Sequence, residues 1–100
     1  MALHALDNAI DIAPEARLYE LKGRIMMASE QWRKARLAFG RAAVLDTGNG
    51  RGYLLAGYCA LQGGSYAEAT VHLTKAIAFR KQNKQARQLL DHIETLAVVQ

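Results

Sequence analysis

"ARLYELKGRIMMASEQWRKARLAFGRAAVLDTGN" (16–49) and "GRGYLLAGYCALQGGSYAEATVHLTKAIAFRKQN" (50–83) are the two stretches whose comparison decides the fold. Set one above the other without a gap, they place Tyr19 over Tyr53, Gly23 over Gly57 and Trp32 over Tyr66. Ala35 then falls over Ala69, Phe39 over Leu73 and Ala42 over Ala76, every pair 34 residues apart. An ordered match of small with small and large with large residues at one fixed step is the mark of an internal repeat.

Each unit divides into two helices. Tyr19, Gly23 and Met26 share one helical face, as do Tyr53, Ala56, Gly57 and Ala60. "ASEQ" and "QGGS" close these first helices, with Gly63-Gly64 as the breaker in the second unit. The second helices start near Trp32 and Tyr66, with Ala35, Phe39 and Ala42, or Ala69, Leu73 and Ala76, on one face. Gly23 and Gly57 leave room for a close neighbour, and large-against-small matching is what tightly packed antiparallel helices require.

The ends follow the same scheme. "ALHALDNAIDIAP" (2–14) is spaced like a second helix alone, through Ala2, Leu6 and Ala9, and Pro14 stops it. "KQARQLLDHIETLAVV" (84–99) is spaced like a first helix, with Asp91 in the place of the glycine, as a capping helix with no close partner on that side would have. Six helices are expected: a half repeat at 2–14, repeats at 16–49 and 50–83, and a capping helix at 84–99.

These residues resemble the tetratricopeptide repeat, whose pattern is an aromatic, Leu-Gly, Tyr, then Ala-x3-Phe, a further Ala and a Pro. The resemblance covers essentially the whole chain. Lys22 and Ala56 stand where Leu is usual, Met26 and Ala60 where Tyr is, and Thr47 and Lys81 in the Pro place. It implies an all-α fold, a right-handed α-solenoid of antiparallel helix pairs, whose first helices line a concave peptide-binding side.

"GNGRG" (48–52) then reads as the hinge between units. No strand precedes it and no Lys-Ser/Thr follows, so neither a dinucleotide nor a P-loop context exists. Asp46 and Asn49 suit a turn, and glycine tolerates positive φ.

Composition agrees with a soluble helical domain. The 100 residues are 51% hydrophobic and 22% charged, with one proline and a formal net charge of +4. A single cysteine, Cys59, excludes an internal disulfide and a cysteine metal cluster. No apolar run nears the roughly 20 residues that span a bilayer, and "MALHALDNAIDIAPE" lacks the features of a secretory signal. No membrane insertion and a cytoplasmic location are expected.

No catalytic constellation emerges. His4, His72 and His92 fall on different helices without a carboxylate or cysteine at ligand spacing, and Cys59 has no histidine to activate it. Asp7 and Asp11 lie one turn apart on a solvent face, and Ser29, Ser65, Thr70 and Thr74 have no base nearby. Neither an enzyme nor a cofactor is expected.

The resemblance implies a groove on the first helices. Carried over from Gly23, its places include Arg17, Leu21, Arg24 and Met27; carried over from Gly57, they include Arg51, Leu54, Leu55, Tyr58 and Leu61. The capping helix offers Gln85, Gln88, Leu89 and His92. Leucines with Tyr58 and Met27 as anchors, edged by Arg17, Arg24 and Arg51, suit a protein or peptide ligand with apolar anchors and acidic residues. The carboxylate clamp of the family's chaperone adaptors is not kept, since its places hold Glu20, Arg24, Leu55, Gln85 and Leu89. Two other readings stand beside this one. Leu3, Leu6 and Ile10 on an unpartnered first helix would let a second copy pair as a homodimer. Arg33, Lys34, Arg36 and Arg41, or Arg80, Lys81, Lys84 and Arg87, would offer a basic face to nucleic acid, although no recognition module accompanies them and none is expected to bind.

Overall fold

The structure, a computed structural model, describes residues 3–46, 48 and 50–99, with the side chains of 97–99 left aside. It is all-α: α1 (Leu3–Ile12), α2 (Ala16–Ala28), α3 (Trp32–Leu45), α4 (Arg51–Gln62), α5 (Tyr66–Ile77) and α6 (Asn83–Val99), with no strand among the described residues. Ala2, Thr47 and Asn49, which the sequence reading used, lie outside those residues. No helix is long and apolar enough to cross a membrane among the described residues.

Each helix packs on the next in the chain, and α4 also meets α6. The Cα envelope measures 45 × 27 × 16 Å. Its thin dimension suits two helix layers, given interaxial distances of about 8–10 Å.

Small residues set this closeness. A Cβ added to Gly23 would lie 2.8 Å from the Phe39 ring, and one added to Gly57 2.6 Å from Leu73 Cγ. Phe39 and Leu73 are wholly buried. Three clusters make the core. Leu6, Ile10 and Leu18 join α1 to α2. Met26, Ala35, Phe39, Ala56 and Cys59 join α2, α3 and α4. Ala60, Leu61, Ala69, Leu73, Ala76 and Ala86 join α4, α5 and α6.

The two helix-pair turns share one backbone design. Gln31 N–H donates to Met26 O and Glu30 N–H to Met27 O; Ser65 N–H donates to Ala60 O and Gly64 N–H to Leu61 O. These are Schellman caps, which place one residue in the left-handed region. That residue is Glu30 (φ 57°) in the first turn and Gly64 (φ 81°) in the second. A side chain with a Cβ at Glu30 carries a strain of about 1 kcal/mol that Gly64 avoids.

Two expectations change. Within 48–52, read as a hinge, Gly48 lies exposed in a turn, whereas the other two glycines are buried. Gly50 is buried against the Phe79 ring and Gly52 against the backbone of Ala43, and neither takes a positive φ. They are needed for space, not for backbone angle. The unpartnered first helix is also corrected. Leu6 is fully buried and Ile10 nearly so, because Leu18, Tyr19 and Ile25 of α2 cover them. Lys22 Nζ lies 2.8 Å from Asp7 Oδ1 across the same contact, an ion pair that lacks the alignment of a hydrogen bond. The face proposed for a homodimer is therefore occupied within the chain.

Candidate functional site

Helices α2, α4 and α6 present one side each to a common groove of about 420 Å³. Met27 comes from α2, Leu54, Leu55 and Tyr58 from α4, and Gln85, Gln88 and Leu89 from α6. The spacing explains the convergence: on α4, 54, 55 and 58 lie on one helical face, and 85, 88 and 89 do so on α6. The backs of these side chains rest on the core. Met27, Leu55 and Tyr58 pack on the cluster around Phe39, and Leu54 and Leu89 on the cluster around Leu73. Tyr58 is further held edge-on to Trp32, ring centroids 6.3 Å apart at 81°. An anchored wall of this kind costs little ordering on binding.

The arginines do not stand as open forks. Glu20 receives two of them: Arg24 Nη2 at 3.0 Å from its own helix, and Arg51 from α4, with Nε 2.9 Å from Oε1 and Nη2 2.9 Å from Oε2. Partial burial works to raise the Glu20 pKa, but the hydrogen bonds from Arg51 and Arg24 and their charges outweigh it and hold the carboxyl below its ordinary value. Arg17 is exposed and pairs with Glu15 at 3.3 Å.

Of the residues carried over, Met27, Leu54, Leu55, Tyr58 and Leu89 meet in the groove. Leu61 does not: α5 and α6 close over it and leave it only 8% exposed, in the core with Leu73 and Ala86. Leu21 is 37% exposed on α2. His92 is exposed on α6, one turn past Leu89; neither borders the groove. Glu20 as the carboxylate joining α2 to α4 was not foreseen. Its i,i+4 spacing to Arg24 was legible, whereas Arg51 is 31 residues away and carries no local signal.

Other reactive groups are enclosed or scattered. Cys59 is fully buried, and burial pushes its thiol up to about 11, far from the thiolate a nucleophile needs. Among the described residues no group of three or more His, Cys, Asp or Glu is placed to hold a metal ion. No protein-family model and no curated protein matches the sequence.

Proposed function

We propose that this chain is a protein-interaction scaffold of tetratricopeptide type, a right-handed solenoid of two full repeats between a half repeat and a capping helix, acting in the cytoplasm as an adaptor or assembly factor. Its ligand is a peptide or helical segment of another protein, laid in the groove of α2, α4 and α6, and no chemistry is done on it. The observation that carries this reading is the meeting of Met27, Leu54, Leu55, Tyr58 and Leu89 from three helices in one groove. An apolar cleft with a few polar side chains at its edge is a common form of binding site. Gln85 and Gln88 would supply neutral hydrogen bonds there. Arg24 and Arg51 are not among the lining residues; each stands one helical turn before one of them, Met27 or Leu54, and the two, sharing their pairing with Glu20, would give a positive flank.

The test is a peptide-display selection on the purified chain, with each selected sequence measured again on Tyr58→Ala and Arg24→Glu. Selected peptides are expected to share apolar anchors with nearby acidic residues, and Tyr58→Ala to weaken them about tenfold or more. Peptides that ignore both substitutions, or a selection that enriches nothing, would sink the groove reading.

A further inference from the structure

A second surface lies on α3 and α5, the helices that contribute nothing to the groove lining. It carries large apolar side chains in water: Leu37 is 51% exposed, Val44 69% and Val71 53%. On α3 the step of seven from Leu37 to Val44 keeps both on one line, away from buried Ala35, Phe39 and Ala42. Two shallow depressions connect them. One, about 250 Å³, runs from Leu37 past Gly40 to Val44; the other, about 330 Å³, runs from Ala67 to Val71. Arg36 and His72 border both, so the two depressions adjoin between α3 and α5. Gly40 keeps the floor of the first open, since a Cβ there would meet nothing within 4 Å.

The charge on this surface is one-sided. Arg36 Nη1 is 2.8 Å from Glu68, which neutralises that pair. Arg33, Lys34 and Arg41 are exposed, stand within one helical turn of Leu37, and make no ion pair with any described residue. An apolar strip with uncompensated cations along it complements an apolar strip with carboxylates along it.

We propose that the α3–α5 surface docks an acidic amphipathic helix of a partner protein. Its apolar face lies on Leu37, Val44 and Val71, and its flanking carboxylates meet Arg33, Lys34 and Arg41. A second copy of this chain is the poorer occupant, because an isologous pairing sets those same cations against their own mates. Nucleic acid is poorer too. No Phe, Tyr or Trp borders either depression for a base to stack on. The inference is independent of the groove, which uses other helices.

The experiment titrates the full chain with a helix-forming peptide of about 18 residues, some 27 Å long, with Leu at one-face spacing and Glu beside it. The same peptide with Lys for every Glu is the control, and backbone amide shifts locate the contact. The expected result is shifts over 33–44 and 67–72, with the Lys peptide at least about tenfold weaker. Leu37→Glu and Arg41→Glu each reduce affinity about tenfold, while Arg80→Glu, an equal charge change away from both surfaces, leaves it unaltered. Leu37 and Arg41 face solvent, so both variants keep the helical circular dichroism of the parent. Four results would overturn the proposal: no binding at millimolar peptide, equal binding of both peptides, shifts confined to the groove around Leu54 and Tyr58, or equal weakening by Arg80→Glu. A single-stranded oligonucleotide that binds 33–44 more tightly than the Glu peptide, or a mass that doubles without peptide and is restored to monomer by Leu37→Glu, would also replace the partner helix with another occupant.

Discussion

Gly52→Ala puts the close approach of α3 and α4 to a direct test. The added Cβ would lie 2.8 Å from Ala43 Cβ and 2.9 Å from Ala43 Cα and N. Carbon atoms in contact sit at about 3.5–4.0 Å, so the two helices must separate by roughly 1 Å. No side chain can swing aside, because the atoms met are backbone and a Cβ, and Ala43 is only 1% exposed. Packed interiors resist such a shift, and overpacking costs about 1–3 kcal/mol. Alanine recovers at most about 1 kcal/mol over glycine in a helix. Taking the middle of the overpacking range, about 2 kcal/mol, since no neighbouring atom can yield, the net is a loss of about 1–2 kcal/mol, or a fall in Tm of about 4–16 °C for a domain of this size.

Gly40→Ala is the internal control. Gly40 also lies in a helix, but its Cβ would meet nothing within 4 Å. There the propensity gain acts alone, about 0.5–1 kcal/mol of added stability. Urea and thermal unfolding followed by circular dichroism read both variants against the parent. Opposite signs are the expected result. If Gly52→Ala proves neutral or stabilising, α3 and α4 do not approach as described and the packing argument fails.

Leu61→Ala and Leu55→Ala separate core from groove: truncating buried Leu61 is expected to cost about 2–5 kcal/mol and half-buried Leu55 distinctly less, and equal losses in urea unfolding would return Leu55 to the core. His72 makes stability depend on pH. Burial, then the charges of Arg36 and Lys75, lower its pKa from 6.5 against a weaker opposite pull from Glu68, and its Nδ1 has no hydrogen-bond partner. The unfolded chain therefore binds the proton first as pH falls below 6.5, and stability drops through that window. His72→Gln should flatten the fall in the urea midpoint between about pH 7.5 and about pH 5.5, and an unchanged slope would remove His72 as its source.

Helix number and pairing were legible because the 34-residue step repeats residue size at six positions, Tyr19/Tyr53, Gly23/Gly57, Trp32/Tyr66, Ala35/Ala69, Phe39/Leu73 and Ala42/Ala76. That step marked Gly23 and Gly57 as places of close approach; that Phe39 and Leu73 are the side chains filling them is seen only in the structure. Periodicity names the face a residue occupies, but not which neighbour covers that face. Leu61 shares α4 with Leu54 and Leu55, yet α6 closes over it and leaves the other two at the groove. Leu6 and Ile10 were read as bare for the same reason: the sequence has no term for how far α2 reaches over α1. Gly50 and Gly52 looked like turn residues because glycines alternate with Asn49 and Arg51 at a unit boundary. Their actual contacts are Phe79, well beyond Gly50 and just past the far end of α5, and Ala43, on the helix before the turn.

The Arg24–Glu20–Arg51 cluster bears on how a groove ligand would use charge. Two arginines on one carboxylate leave a net local charge of +1, and the arginine side chains are about half exposed. Exposed ion pairs contribute only about 0–1 kcal/mol each, so a ligand carboxylate could share or displace Glu20 at small cost and gain equally little. On the proposed reading, affinity would then come from apolar contact with Leu54, Leu55, Tyr58 and Leu89, while the cluster would set orientation and the rate of encounter. The two groove variants should therefore differ in kind as well as degree. Tyr58→Ala is expected to act on the dissociation rate at any salt concentration. Arg24→Glu is expected to slow association and to lose its effect as ionic strength rises and the Debye length shortens from about 10 Å at 0.1 M to about 3 Å at 1 M. An Arg24→Glu defect that survives high salt and lies in dissociation would mean that Arg24 leaves Glu20 and is desolvated by the ligand, making the cluster part of the binding surface itself.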